Sequence, residues 1–441
     1  MGPVAFWVAA LVIAAAPLLY GGNRPAALVF LELLSIISLF VIARSDAWRA
    51  DRLPALLWIV ITSPLWIAAI QLIPLPTALW AALPGHGIYA EILRAFGADV
   101  GTLRPITLIP AATWYSALAG LPVIAALLTG YFASRRQIEK LSRLVLAIAL
   151  IQVAVCFVQV ATTGATRPLG TFANPNHLAS YLCLALCALA CSAHLAAVRT
   201  GTLSPLAWSI CAIALLVGVL LTRSRGAQLF ALLPSVAALA IVATYWINMT
   251  RRSWLFALAG IAAISVGFVG IEFATARFSA ALGDESTQMR VDMAVSSLQG
   301  ALRFLPFGSG LGTFEAVYAQ FQPTTMTGLV NHAHMDYIEF LFEAGLLFVV
   351  VAIALAVLMG RKLSALLRAG RGQIITKDSM LSLVCALGLL GFLLHSLVEF
   401  NMRIPATAIL ASFLAGVFLR PSDASRRRAS GDSMTPLPST A

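Results

Sequence analysis

The sequence predicts an all-α integral membrane protein with about twelve transmembrane helices. Three observations carry this. The 441 residues are 60% hydrophobic and only 11% charged, against about 25% charged in soluble domains. Mean hydropathy is +0.91. Apolar runs near the length that crosses the hydrocarbon layer, about 20 residues, recur along the chain.

Twelve candidate spans follow in order: 3–20, 25–43, 54–73, 111–132, 139–161, 176–198, 204–222, 227–247, 253–272, 340–360, 379–398 and 403–419. The first has no basic residues ahead of its apolar stretch, so it reads as an uncleaved span and not a signal peptide. With the N-terminus in the cytoplasm, 19 of the 29 Lys and Arg residues fall on cytoplasmic segments. This matches the positive-inside rule and puts both termini inside. The net charge of +11 then reflects topology, and nucleic acid is not an expected partner. The bilayer is.

Residues 1–420 form the expected membrane domain, and 421–441, rich in Ser, Pro and Arg, a disordered cytoplasmic tail. Two segments outside the membrane are long. Segment 74–110 contains Pro74, Pro76, Pro84 and Pro105 and an amphipathic stretch around Trp80–Phe96 suited to a membrane surface. Segment 273–339, between the ninth and tenth spans, is the largest polar element and the expected seat of function. No internal repeat is evident, although many transporters have one. The six cysteines, Cys156, Cys183, Cys187, Cys191, Cys211 and Cys385, sit in apolar runs without zinc-ligand spacing and read as packing residues.

All three lysines, Lys140, Lys362 and Lys377, are cytoplasmic in this arrangement, so every external cation is an arginine. Guanidinium stays charged when partly buried and grips phosphate in a two-pronged fork. Three stretches concentrate candidate chemistry. In Arg167–His177 a Pro/Gly turn precedes a span, Asn176 is the expected cap, and a helix N-terminus beside Arg167 suits an anion. In Thr222–Ala227, Arg223 and Arg225 lie in a tight loop at the edge of hydrocarbon, where charge implies a partner, with snorkelling to headgroups as the plainer reading. In Asn331–Glu339, a helix starting near His332 puts His332, Asp336 and Glu339 or Glu343 on one face. Here acid/base work or substrate contact stands ahead of structural hydrogen bonding and of a metal. The run Gly308–Gly312 lacks the lysine and strand context of a nucleotide loop, so tight turns explain it. Glu399 is expected to pair with Arg403.

Taken together, these blocks resemble the O-antigen ligase and O-antigen polymerase superfamily of bacterial membrane glycosyltransferases, exopolysaccharide polymerases included. The resemblance rests on Leu103–Thr113, Gly170–His177, Ser224–Ala227, Arg290, Pro306–Phe314 and Ala333–Tyr337, in that order over nearly the whole chain. Met335 stands where members often have Asn, and Phe348 where ligases commonly have Gly, Thr or Tyr, which leaves ligase and polymerase both open. The resemblance implies a GT-C-like membrane fold in the bacterial inner membrane with its site on the periplasmic face. It implies an undecaprenyl-pyrophosphate-linked glycan donor, a glycan or lipid A-core acceptor, and neither cofactor nor metal. Arg223, Arg225 and Arg290, then Arg167 and Arg303, are the expected pyrophosphate ligands. His334 is the expected base, with His332 and Asp336 supporting it. A multispan transporter of a small anion or lipid is the competing class.

Overall fold

The computed structural model describes residues 1–45, 48, 53–97, 103–201, 205–247, 285–370 and 376–421. The ninth expected span, 253–272, and the tail beyond Pro421 lie outside them. The chain is a mainly α-helical, multi-pass membrane protein. Among the described residues seven helical stretches are long and apolar enough to cross a membrane, and three apolar helices are shorter.

In chain order the first helices are α1 (Pro3–Leu18), α2 (Pro25–Ala43), α3 (Ala55–Ile61) and α4 (Ser63–Gln71). The ribbon strand β1 (Pro74–Pro76), α5 (Thr77–Ala82), α6 (Gly87–Ala95) and β2 (Leu103–Pro105) follow, then α7 (Pro110–Ala119) and α8 (Leu121–Phe132). The bundle continues with α9 (Arg135–Thr163), α10 (Pro175–Thr200), α11 (Pro205–Leu221), and a π-helical turn Ala227–Leu232 entering α12 (Leu233–Ile247). The last elements are α13 (Glu285–Arg303), α14 (Phe314–Tyr318), α15 (Asp336–Ala344), α16 (Leu346–Gly370), α17 (Lys377–His395) and α18 (Pro405–Leu419).

Proline sets several starts. Pro3, Pro25, Pro110, Pro175 and Pro405 occupy first-turn positions, where a missing N–H costs nothing. The expected span 54–73 is broken at Thr62 between α3 and α4, and 111–132 bends at Gly120. The two breaks meet: a Cβ on Gly120 would lie 2.6 Å from Pro64.

The hub is α10, in which 89% of its apolar window is buried. Apolar on every side and built from Ala, Cys and Leu, it suits the centre of a bundle. It packs against α9, α11, α12 and α17, and Cys191 Sγ lies 3.6 Å from Cys385 Sγ. In lipid, helices associate through close van der Waals contact and not through release of water. The α8–α18 crossing shows this: a Cβ on Gly130 would strike the Phe413 carbonyl, and one on Gly416 the Leu127 carbonyl.

Helix ends gather alternately. Arg135 bonds Asp378 at 2.8 Å, Arg199 meets Glu139 at 3.2 Å, and Trp246 Nε1 donates to His194 Nδ1 at 3.1 Å. The opposite end, where α10 begins and α17 finishes, is the site end. A cap of α13, α14 and α15 covers it, with Met293, Phe304, Phe314, Tyr318 and Phe342 as its core. Buried Gln71 ties cap to bundle, donating to Phe307 O (2.8 Å) and Glu343 O (2.7 Å) while its carbonyl accepts from Leu311 N (2.9 Å). Gly308, Gly310 and Gly312 all have positive φ, and side chains at the first two would strike Glu343 O and Thr107 Oγ1. The loop is packed backbone, as its turns suggested.

Candidate functional site

The loop before α15 and the turn after α17 build the site together. The helix expected to start near His332 begins instead at Asp336, and the span expected from 340 begins at Leu346, because Gly345 (φ +57°) breaks the chain between α15 and α16. Asp336, Glu339 and Glu343 share the buried face of α15. His332 joins them from the loop: its Nδ1 lies 2.8 Å from Glu339 Oε1.

Arg403, expected to pair with Glu399, faces these carboxylates instead. Its Nε lies 3.2 Å from Glu339 Oε1, and its Nη2 donates to Glu343 Oε2. Residues Asn401–Arg403 form a 3-10 turn between Glu399 and α18. Burial pushes the Glu339 carboxyl up, but the Arg403 guanidinium and His332 outweigh it and hold the group below its ordinary range. Burial raises Glu343, and raises Asp336 well above the usual carboxylate range. The Arg403 guanidinium lowers both Glu339 and Glu343 against the effect of burial. Asp336 is bonded into the turn after α17: its Oδ2 accepts from Met402 N at 2.9 Å and its N–H donates to Ser396 O at 3.1 Å.

Glu399 binds His334. The distance from His334 Nδ1 to Glu399 Oε1 is 2.8 Å, and Asn176 Nδ2 donates to Oε2. His177 Nε2 stands 3.9 Å away. Burial would raise the Glu399 carboxyl, yet the hydrogen bond from His334 and the nearby imidazoles pull it down to about 2. An ionised carboxylate only accepts, so Nδ1 of His334 carries a proton toward Glu399, and in the neutral imidazole the lone pair is then on Nε2. The His334 side chain is 27% exposed while Glu399 is 1% exposed. His334 also holds φ +51°, an uncommon conformation for a residue with a side chain. Three imidazoles surround the Phe400 ring, His332 stacked at 4.1 Å and His177 and His334 edge-on at 4.5 and 4.8 Å.

The arginines fall into two groups. Arg167 donates to Thr222 O (3.2 Å) and to Asn176 Oδ1 (2.9 Å). It thereby links the turn carrying Arg223 and Arg225 to the residue that binds Glu399. Arg223 takes φ +50°, and both arginines of the turn are exposed. Next to them Gly226 packs on His395, whose ring lies 3.0 Å from where a Cβ would be. Arg290 is close enough to His395 for their charges to interact. Arg303 belongs elsewhere: thirteen residues further along α13, it is about 20 Å from Arg290 along the axis.

Sequence reasoning missed Glu399 as the partner of His334, and with it Phe400, which gathers His177, His332 and His334 around its ring. A signal existed, since His395 and Glu399 sit where an apolar span ends and a charge needs company. The expected cap Asn176 is displaced by Asn174, whose side chain accepts from Asn176 N at 2.8 Å. Among the described residues no three His, Cys, Asp or Glu side chains converge as metal ligands.

Residues 210–353 match the family model described as O-antigen ligase. That span takes in the 223–226 turn, Arg290, the 306–314 loop and His332–Asp336, and it stops short of Glu399. No curated protein matches the chain significantly.

Proposed function

We propose that this chain, whose residues 210–353 match the family model described as O-antigen ligase, transfers or polymerises a glycan carried on undecaprenyl pyrophosphate. The acceptor is a hydroxyl of a growing glycan or of a lipid A core, and the site end faces the periplasm. The observation that carries this reading is the His334–Glu399 pair, linked through Asn176 and Arg167 to the turn holding Arg223 and Arg225.

In this reading His334 Nε2 takes the proton of the acceptor hydroxyl as its oxygen bonds to the anomeric carbon. The bond from that carbon to the diphosphate oxygen breaks, and the lipid diphosphate departs with the electron pair. Glu399 holds the imidazole in the tautomer that can accept and steadies the imidazolium that forms. Arg223, Arg225 and Arg290, backed by Arg167, meet the charge growing on the diphosphate, work that guanidinium groups in a low-dielectric site do without a metal. The leaving group is already a weak base, so no general acid is needed. In this reading Arg303, about 20 Å from Arg290 along α13, takes no part in holding the diphosphate, and Asp336 supports His334 through its bonds to the 396–402 turn.

The test is glycan transfer by purified protein in nanodiscs carrying lipid-linked donor and acceptor. His334→Ala, Arg225→Ala and Arg290→Ala should each cut transfer strongly while leaving the protein folded. Full transfer by all three would refute the assignment. In the native host, deletion separates the two branches: single-repeat surface glycan marks a polymerase, and long lipid-linked chains left untransferred mark a ligase.

A further inference from the structure

The segment between α4 and α7 makes a compact projection that the proposed chemistry does not use. Its base is a two-stranded ribbon, with Pro74 opposite Pro105 and Pro76 opposite Leu103. Ile106 N donates to Ile73 O at 3.2 Å and Thr107 N to Gln71 O at 2.8 Å, so the ribbon grows directly from the end of a membrane helix. On α6 one face is turned inward. Ala90 is buried, Tyr89 accepts from Gln320 at 3.0 Å, and the His86 ring before the helix lies against Trp80 and Phe304. The other face is bare and mainly apolar: Ile88, Ile92 and the cap residue Phe96 follow at four-residue spacing and are 51%, 47% and 84% exposed, with exposed Glu91 at its edge.

We propose that α6 lies flat in the headgroup and acyl boundary of the bilayer on the site side, with Ile88, Ile92 and Phe96 in the lipid. Continuity with the exposed apolar surface of the membrane helices supports this. Ile73 and Leu103 at the ribbon base are exposed, and so are Trp114 and Tyr115 in the first turns of α7, where aromatic rings of membrane helices gather at the water boundary. The bare face of α6 therefore extends the lipid-facing surface of the bundle. Arg94, exposed in the last turn, lies on the side of the helix away from Ile88, Ile92 and Phe96 and stays in water as the apolar side chains insert. This is how a short amphipathic helix binds an interface. The ribbon is too short to lift α6 far from the membrane helices it joins, and the inward contacts with Phe304 and Gln320 fix its roll.

The test uses the full chain in liposomes. With Cys211→Ser removing the one partly exposed thiol among the described cysteines, single cysteines at positions 88, 92 and 96 carry an environment-sensitive fluorophore. A control label replaces exposed Glu315 on α14. Lipids spin-labelled near the headgroup should quench the three α6 labels and leave the control alone, while aqueous iodide should do the reverse. Adding Phe96→Glu and Ile92→Glu should abolish lipid quenching at position 88. Iodide quenching of the α6 labels equal to the control overturns the proposal. So does shielding from both quenchers, which would mean a protein partner. Neither readout depends on glycan transfer.

Discussion

His334 and Glu399 lie 65 residues apart in the chain and 2.8 Å apart in space, the imidazole partly open and the carboxylate sealed. An acceptor-only carboxylate behind a partly exposed imidazole is an arrangement for removing a proton. It joins the loop before α15 to the turn after α17, so its geometry depends on both.

Replacing Glu399 with Gln keeps the shape of the side chain and lets its amide donate, which favours the wrong imidazole tautomer. The expected outcome is a fall in kcat of about 100-fold or more with little change in KM, read from steady-state glycan transfer in nanodiscs.

The Arg403 cluster governs stability. Arg403→Ala leaves Glu339 ionised and buried without its guanidinium, and removing one partner of a buried ion pair costs about 3–5 kcal/mol. Thermal unfolding in detergent should show a marked loss for Arg403→Ala. The triple variant Arg403→Ala, Glu339→Gln, Glu343→Gln should recover part of it, because no stranded charge remains.

Acid should weaken the fold through Glu399. Its carboxyl is held at about 2, below the ordinary 4.5, so the folded state favours the charged form. The stabilisation is complete above about pH 4.5 and is lost as the pH falls toward 2. It amounts to about 3 kcal/mol by linkage. Unfolding temperatures measured from pH 7 downward should drop across that window, and Glu399→Gln should flatten the drop.

Diphosphate recognition has its own readout. Inorganic pyrophosphate should compete with the lipid-linked donor, and Arg225→Ala or Arg290→Ala should each weaken that inhibition about tenfold, the effect of losing one charged hydrogen bond. Arg303→Ala should leave it unchanged, being about 20 Å along α13 from Arg290.

Much of the membrane body was legible in the sequence, since a spanning segment must satisfy its own backbone and so appears as an apolar helix. What misled was local. Asn176 looked like a cap, but Pro175 takes the first helical position and hands the cap to Asn174. The tenth span looked continuous from 340 because Gly345 resembles any helix glycine until its φ is known. The β1–β2 ribbon has three residues a side, with Pro at three of its six positions, and offers no strand pattern to find. At the site, His332, His334 and the arginines stood out by residue type and position. Glu399 was visible as a charge in need of a partner, but the sequence offered Arg403 nearby in the chain, while its partner His334 lies 65 residues away. Only tertiary contact gives Glu399 to His334 and Arg403 to α15.

The central claim is that His334 and Glu399 act as one unit in glycan transfer. It is tested most directly by comparing transfer rates for His334→Ala, Glu399→Gln and the two combined. If they work together, the double variant is no slower than His334→Ala alone. Independent, multiplying losses, or a wild-type rate in His334→Ala, would contradict the account.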